Sequence, residues 1–206
     1  MELVFMGVCR DMNKLPIGNL PEKAVKFVEP DNKEALEKAV VPFLVPPFIV
    51  VGLALLIGFL VNGSLNITID SNFLWVFLIC VVLILVAMFI HEFLHAICFG
   101  KGSVVHLYVN LSFFFVHSTT PISKKRFIFM CLLPNTVLGL IPLTVWIFTP
   151  MPSTMGTGLF VFSAIMCLSG CGDYMNAYNA YRQMPKGSMQ QLSGLNSFWF
   201  LPDEKN

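Results

Sequence analysis

Residues 73–99 read FLWVFLICVVLILVAMFIHEFLHAICF, a stretch in which Glu92 is the only formally charged side chain. Its length exceeds the ~20 apolar residues that carry a helix across a hydrocarbon layer. Near its end stands His91-Glu92-Phe93-Leu94-His95, an HExxH pattern. Two imidazoles four residues apart on one helical face can bind a single zinc ion, and the glutamate beside them can act as general base. At 100° per residue, His91, Glu92 and His95 fall at about 0°, 100° and 40°, so all three share one side. An acid at bilayer depth costs roughly 3 kcal/mol, which argues that Glu92 is kept for its chemistry.

Composition points to lipid independently of the motif. Hydrophobic residues make up 56% of the 206-residue chain and charged residues 12%, with a mean hydropathy of +0.74. A soluble domain carries about a quarter charged residues, so this chain is too poor in them to cover its own surface.

Four apolar stretches are long enough to span: Val41 to Val61, Phe73 to Phe99, Phe127 to Phe148, and Met155 to Gly172 with its continuation. Of the 13 Lys and Arg, six lie between Arg10 and Lys38, four between Lys101 and Arg126, and three from Arg182 onward. None lies in 62–72 or 149–154. With four spans, the three basic segments fall on one side and the two uncharged loops on the other, which predicts cytoplasmic termini. The fold class expected is therefore a mainly α membrane protein of four transmembrane helices, with a short cytoplasmic β-strand or hairpin between helices 2 and 3. The expected organisation is a tail over 1–40, a transmembrane domain over 41–180 and a second tail over 181–206.

The first residues lack a basic start followed by an adequate apolar core, so insertion is expected to begin at the first span. Cys80, Cys98, Cys131 and Cys167 fall in expected spans and Cys9 in the cytoplasmic tail, which argues for small core residues and against a disulfide framework. Asn66-Ile67-Thr68 matches a glycosylation tripeptide but carries no weight. In the tail, Asp31 and Glu34 match a capping pattern ahead of Ala35, Leu36, Ala39 and Val40, which predicts a short interfacial helix. Pro42, Pro46 and Pro47 then crowd the first span, where they predict a kink as the chain goes in. Short strands are expected at Ala24 to Val28 and Ser197 to Leu201.

The most polar internal connection is Lys101 to Lys125. Val104 to Val116 alternates as a strand does, with His106, Tyr108, Asn110 and Ser112 on one side. Such a strand can hold an extended substrate by pairing with its backbone, or can be a hairpin lying on the headgroups. Ser123, ahead of Lys124-Lys125-Arg126, is placed to cap the third span and anchor it.

A catalytic zinc usually has three protein ligands and one open position. Asp173 is the leading candidate for the third. Counted from the outside at 1.5 Å per residue, Asp173 lies roughly 26 Å into its span and the two histidines roughly 27 to 33 Å into theirs. Gly170 and Gly172 favour close helix approach there. The rivals are His106 and His117 in the loop, or no third protein ligand. Asn135, after Pro134, either repairs the break that the proline makes or contacts a substrate carbonyl. Asn176, one turn beyond Asp173, either holds a ligand in place or faces headgroups. Gly139 and Pro142 suit helix packing or flexibility.

HExxH in one membrane helix with an aspartate after glycine in a later one resembles the site-two protease type of intramembrane zinc metalloprotease. More closely, the chain is similar to a family of small bacterial membrane proteins described as putative zincin peptidases. That resemblance rests on His91-Glu92-Phe93-Leu94-His95, on Pro121-Ile122-Ser123-Lys124-Lys125-Arg126-Phe127 leading to Pro134, and on Gly172-Asp173 followed by Met184-Pro185-Lys186-Gly187. It implies zinc held by His91, His95 and Asp173, with Glu92 catalytic. Cys171-Gly172-Asp173 departs from the longer Asn-Pro-Asp-Gly or Leu-Asp-Gly signature of site-two proteases.

The function expected is hydrolysis of peptide bonds in a membrane or membrane-proximal protein, by a multi-pass protein of the bacterial cytoplasmic membrane. A scissile bond in a transmembrane helix must first unwind, so helix-breaking residues are expected in the substrate. The alternatives are a zinc-binding membrane sensor or regulator without hydrolysis, and a polytopic structural or transport subunit. Nothing in the polar tails suggests nucleic acid.

Overall fold

The computed structural model describes residues 1–30, 32–65, 67–110, 114–151 and 153–202. By contact clustering the chain divides into two units. One comprises Met1–Leu36, Glu92–Leu132 and Asp173–Asn206, and the other Glu37–His91 and Leu133–Gly172.

The second unit is helical, and its helices continue into the first over residues 33–36, 92–97, 124–132 and 173–183. A 3-10 turn over Val41–Leu44 leads into α2 (Val45–Asn62), itself preceded by α1 (Lys33–Val40). Pro42 sits in the 3-10 turn, and Pro46 and Pro47 in the first turn of α2, where an α-helix has no use for their missing donors. The expected capping pair falls on Asp31, outside the described residues. Asn32 caps α1, its Oδ1 accepting from Ala35 N–H at 2.9 Å. α3 covers Phe73–Ile97. The next apolar helix is continuous from Lys124 to Phe148, built from α4 (Lys124–Asn135), a π-helical turn over Thr136–Leu140 and α5 (Ile141–Phe148). The π turn follows Pro134, as expected where a proline interrupts the hydrogen-bond ladder. α6 (Ser153–Ser169) and α7 (Cys171–Gln183) form a bent pair broken at Gly170.

Ala54, Leu143, Trp146, Ile147 and Cys167 make the core of this unit, with Val51, Leu55, Leu159 and Phe160 against it. Small residues permit the close approach. A Cβ at Gly58 would stand 2.8 Å from the Trp146 ring, and one at Gly139 would stand 2.7 Å from Cys167 Sγ. Asn62 ties the ends of α2 and α5, donating to Gly58 O and Ile147 O at 2.9 Å each. Phe48, Leu53, Phe59 and Leu60 of α2, and Trp75, Ile79, Val82 and Leu85 of α3, remain exposed. An apolar surface of that extent suits lipid or a partner. Three helices, Glu34–Asn62, Phe73–Ile97 and Lys124–Phe148, are long and apolar enough to cross a membrane, as is the bent pair taken together.

The first unit carries more strand than the sequence suggests. β1 (Glu2–Val8) runs parallel to β3 (Val104–Val109), and β4 (Phe114–His117) is antiparallel to β3 at the sheet's edge. The single strand read over Val104 to Val116 is thus a hairpin: His106 pairs with His117 and Val109 with Phe114. Ser112 lies outside the described residues. A second sheet has the order β2 (Val25–Lys26), β7 (Asn196–Phe200), β6 (Met189–Ser193) and β5 (Ile122–Ser123). Its β6–β7 hairpin turns at Gly194, whose φ of +57° favours a residue without a Cβ. The six cysteines are all free.

Candidate metal centre

The HExxH residues occupy the last turns of α3. Phe99 N–H donates to Ala96 O and Gly100 then takes a φ of +82°, which ends the helix just beyond the motif. His91 and His95 are 6% and 7% exposed. Donor atoms of His91, Glu92 and His95 lie within 4.8 Å of one another, close enough for one ion to meet them.

His95 and Glu92 are each held by a backbone group, and for His95 that group follows from the local sequence of α4. His95 Nδ1 is 3.0 Å from Met130 O on α4. In an uninterrupted helix that carbonyl would accept from residue 134, but residue 134 is proline and has no N–H. A carbonyl can only accept, so the one that Pro134 frees receives the Nδ1 proton of His95, and Nε2 is the nitrogen turned to Asp173. Glu92 Oε2 accepts from Val116 N–H of β4 at 3.1 Å, so the edge strand holds the carboxylate.

Asp173 reaches the same turn through His95. Its Oδ1 is 3.3 Å from His95 Nε2. It lies in the first turn of α7, whose far end is held by Lys124, with Nζ donating to Tyr181 O at 3.0 Å and to Met184 O. The ammonium also sits 5.5 Å from the Tyr181 ring centre. A cationic group at a helix C-terminus complements its exposed carbonyls. Lys124 therefore fastens the Asp173 helix to the start of the helix that carries Met130.

Glu92, His95 and Asp173 line one cleft of about 210 Å³, together with Asn176, Gln190 and Ser197 and an apolar wall that includes Phe99, Phe127 and Cys131. Asn176 is thus at the cleft. Asn135 is not among its lining residues. It is 1% exposed and packed on Gly170, where any Cβ would overlap its amide. The freed carbonyl is taken by His95, so the repair expected of Asn135 is partly made by the histidine. His106 and His117 face each other across β3 and β4, and His117 Nε2 is 3.0 Å from Gly194 O. Neither lines the cleft. Burial pushes the His117 imidazole below its ordinary value, Gly194 O opposes that shift, and His106 adds to it. Nothing in the sequence pattern marks Gln190, Ser197 or Val116, because their role depends on pairings distant in sequence.

The donor set fits zinc. Two imidazoles and one carboxylate make a frequent catalytic combination, Met130 O engages Nδ1 of His95, and an acid stands at its Nε2. Over residues 83–189 the sequence matches the family described as putative zincin peptidase. The chain belongs to that family. Neither a curated relative nor a solved structure matches it. Within the matched residues of this putative zincin peptidase family member stand His91, Glu92 and His95, gathered within little more than one helical turn.

Proposed function

We propose that this chain is an intramembrane zinc metalloprotease that hydrolyses peptide bonds of a membrane or membrane-proximal protein. The observation that carries this reading is the shared cleft of Glu92, His95 and Asp173, with each of the first two oriented by a backbone group of the surrounding unit. His91, His95 and Asp173 would hold the ion. Zinc, when bound, lowers the pKa of water from ~16 toward 7 and polarises a carbonyl. Glu92 takes a proton from the attacking water, whose oxygen bonds to the peptide carbonyl carbon. As the C–N bond breaks, its electron pair stays on nitrogen and Glu92 returns the proton there. Val116 N–H keeps the carboxylate aimed through both transfers. Asn176 is in reach of the peptide or of a ligand.

The membrane setting is supported by the three long apolar helices and the bent pair, by the exposed apolar faces of α2 and α3, and by the one-sided distribution of Lys and Arg. Together they favour a multi-pass protein of the cell membrane with four spans and both termini cytoplasmic, with the bilayer and a membrane substrate as its partners. β4, at the edge of its sheet beside Glu92, suits an extended peptide better than a helix, in keeping with a substrate that unwinds. Comparative proteomics of membranes carrying wild-type or Glu92→Gln protein tests the reading. New protein termini confined to the wild type are expected. Identical termini in both would overturn it, and a wild type that holds zinc but cuts nothing would favour a zinc-binding sensor.

A further inference from the structure

Gln190 is a long polar side chain at an interior position of a sheet. It lies in β6 between Ile122 of β5 and Trp199 of β7, and is 2% exposed. It lines the cleft with Glu92, His95 and Asp173. Its amide nitrogen has no hydrogen-bond partner among the described residues. A buried amide nitrogen left without an acceptor is destabilising and uncommon in folded proteins, and calls for a reason. The cleft offers one.

Apart from the Asn176 amide on α7, the other polar groups there are committed or of the wrong kind. His95 and the carboxylates present lone pairs, and Val116 N–H already donates to Glu92. Hydrolysis by these groups also needs a donor, because negative charge grows on the carbonyl oxygen as water adds. Gln190 brings two N–H bonds, does not titrate, and is fixed by strand pairing on both sides, so little reorganisation is needed when the charge appears. We propose that Gln190 donates a hydrogen bond to the carbonyl oxygen of the peptide bond being cut. As the water oxygen bonds to the carbonyl carbon, the carbonyl π pair moves onto oxygen, where the Gln190 N–H meets it. The pair returns to carbon as the C–N bond breaks, and the proton held by Glu92 passes to the leaving nitrogen. The inference rests on the hydrolytic reading above.

The test uses the full-length protein loaded with zinc, a peptide spanning a cut found by the proteomic comparison, and the phosphonamidate analogue of that peptide at the scissile bond. Gln190→Met and Gln190→Glu keep the side chain's length and remove its N–H donors. In both, kcat is expected to fall by about 100- to 1,000-fold, the range for removal of one such donor, with KM changed by less than about threefold. Phosphonamidate affinity should fall by the same factor as kcat/KM, while zinc content and thermal midpoint stay at the wild-type values. Wild-type kcat in Gln190→Met, or lost kcat with undiminished phosphonamidate binding, would overturn the proposal and leave the hydrolytic reading standing. Loss of zinc or of fold in both variants would assign Gln190 a structural part and overturn it too. A wild-type protein for which no cut is found overturns the hydrolytic reading and this proposal with it.

Discussion

His95 Nε2 and Asp173 Oδ1 stand 3.3 Å apart, although 78 positions separate them in the chain. An imidazole nitrogen with its lone pair turned toward a carboxylate is an unfavourable pairing unless a proton or a cation lies between them. The arrangement suits a shared proton or a metal that both would bind.

Removing the carboxylate separates a ligand from an outer support. Asp173→Ala should lower zinc affinity by more than about 100-fold, beyond the ~10- to 100-fold typical of residues that only orient a ligand. Competition with a zinc-sensitive dye would measure it. A smaller loss would make Asp173 an orienting partner of His95, and no loss would remove it from the site.

The Pro134 effect is open to a milder test. Pro134→Ala restores an N–H that competes with His95 for Met130 O. Zinc binding should weaken by up to about tenfold, the low end of the outer-support range, because a carbonyl can accept two bonds. The helix itself should become more regular. Zinc affinity equal to wild type would show that the freed carbonyl is not what selects the His95 nitrogen.

The close packing of Asn135 on Gly170, at the break between α6 and α7, depends on a missing side chain. Gly170→Ala would drive a methyl group into the Asn135 amide, and overpacking of that kind costs about 1–3 kcal/mol. Asn135→Ala in the same molecule should recover part of it, because the two sites are in contact. Thermal midpoints of the single and double variants in detergent check this; additive losses would contradict it.

His117 sets a pH dependence for the strand-bearing unit. Its folded pKa is held below the ordinary 6.5, chiefly by burial, so the unfolded chain binds the proton more readily. Its stabilising contribution is then intact above about pH 6.5 and is lost as pH falls from there through the folded value. Hydrogen-exchange protection factors of β3, β4 and the Gly194 turn, which allow for the intrinsic slowing of exchange at lower pH, should fall over that interval. His117→Gln should flatten the response, and an unchanged pH profile would assign the effect to another group.

Much of the helical framework and the core of the site are legible in the sequence for simple reasons. Length and apolarity announce α2, α3 and the Lys124–Phe148 helix, and a four-residue histidine spacing on a helix can only converge. Asp173 stands out as an acid after two glycines at the end of an apolar run, and the structure sets it 3.3 Å from His95 Nε2. β1 and β6 were not. Glu2–Val8 pairs with Val104–Val109 in parallel across about a hundred residues, and no local pattern encodes such a partner. Met189–Ser193 reads as a polar tail until β5 and β7 bury Gln190 and Gln191. The role of Met130 is invisible for a different reason: it lies in a backbone carbonyl, whose availability depends on a proline four residues later.

The most direct test joins metal content and bond cleavage in one preparation. Purified wild-type and Glu92→Gln proteins are analysed for zinc and then incubated with solubilised membranes from cells lacking the protein, and newly formed protein N-termini are labelled and sequenced. Both proteins should hold about one zinc per chain, and only the wild type should generate new termini. Equal cleavage by Glu92→Gln, or a zinc-loaded wild type that generates none, would contradict the assignment of Glu92 as the base of a peptide hydrolase.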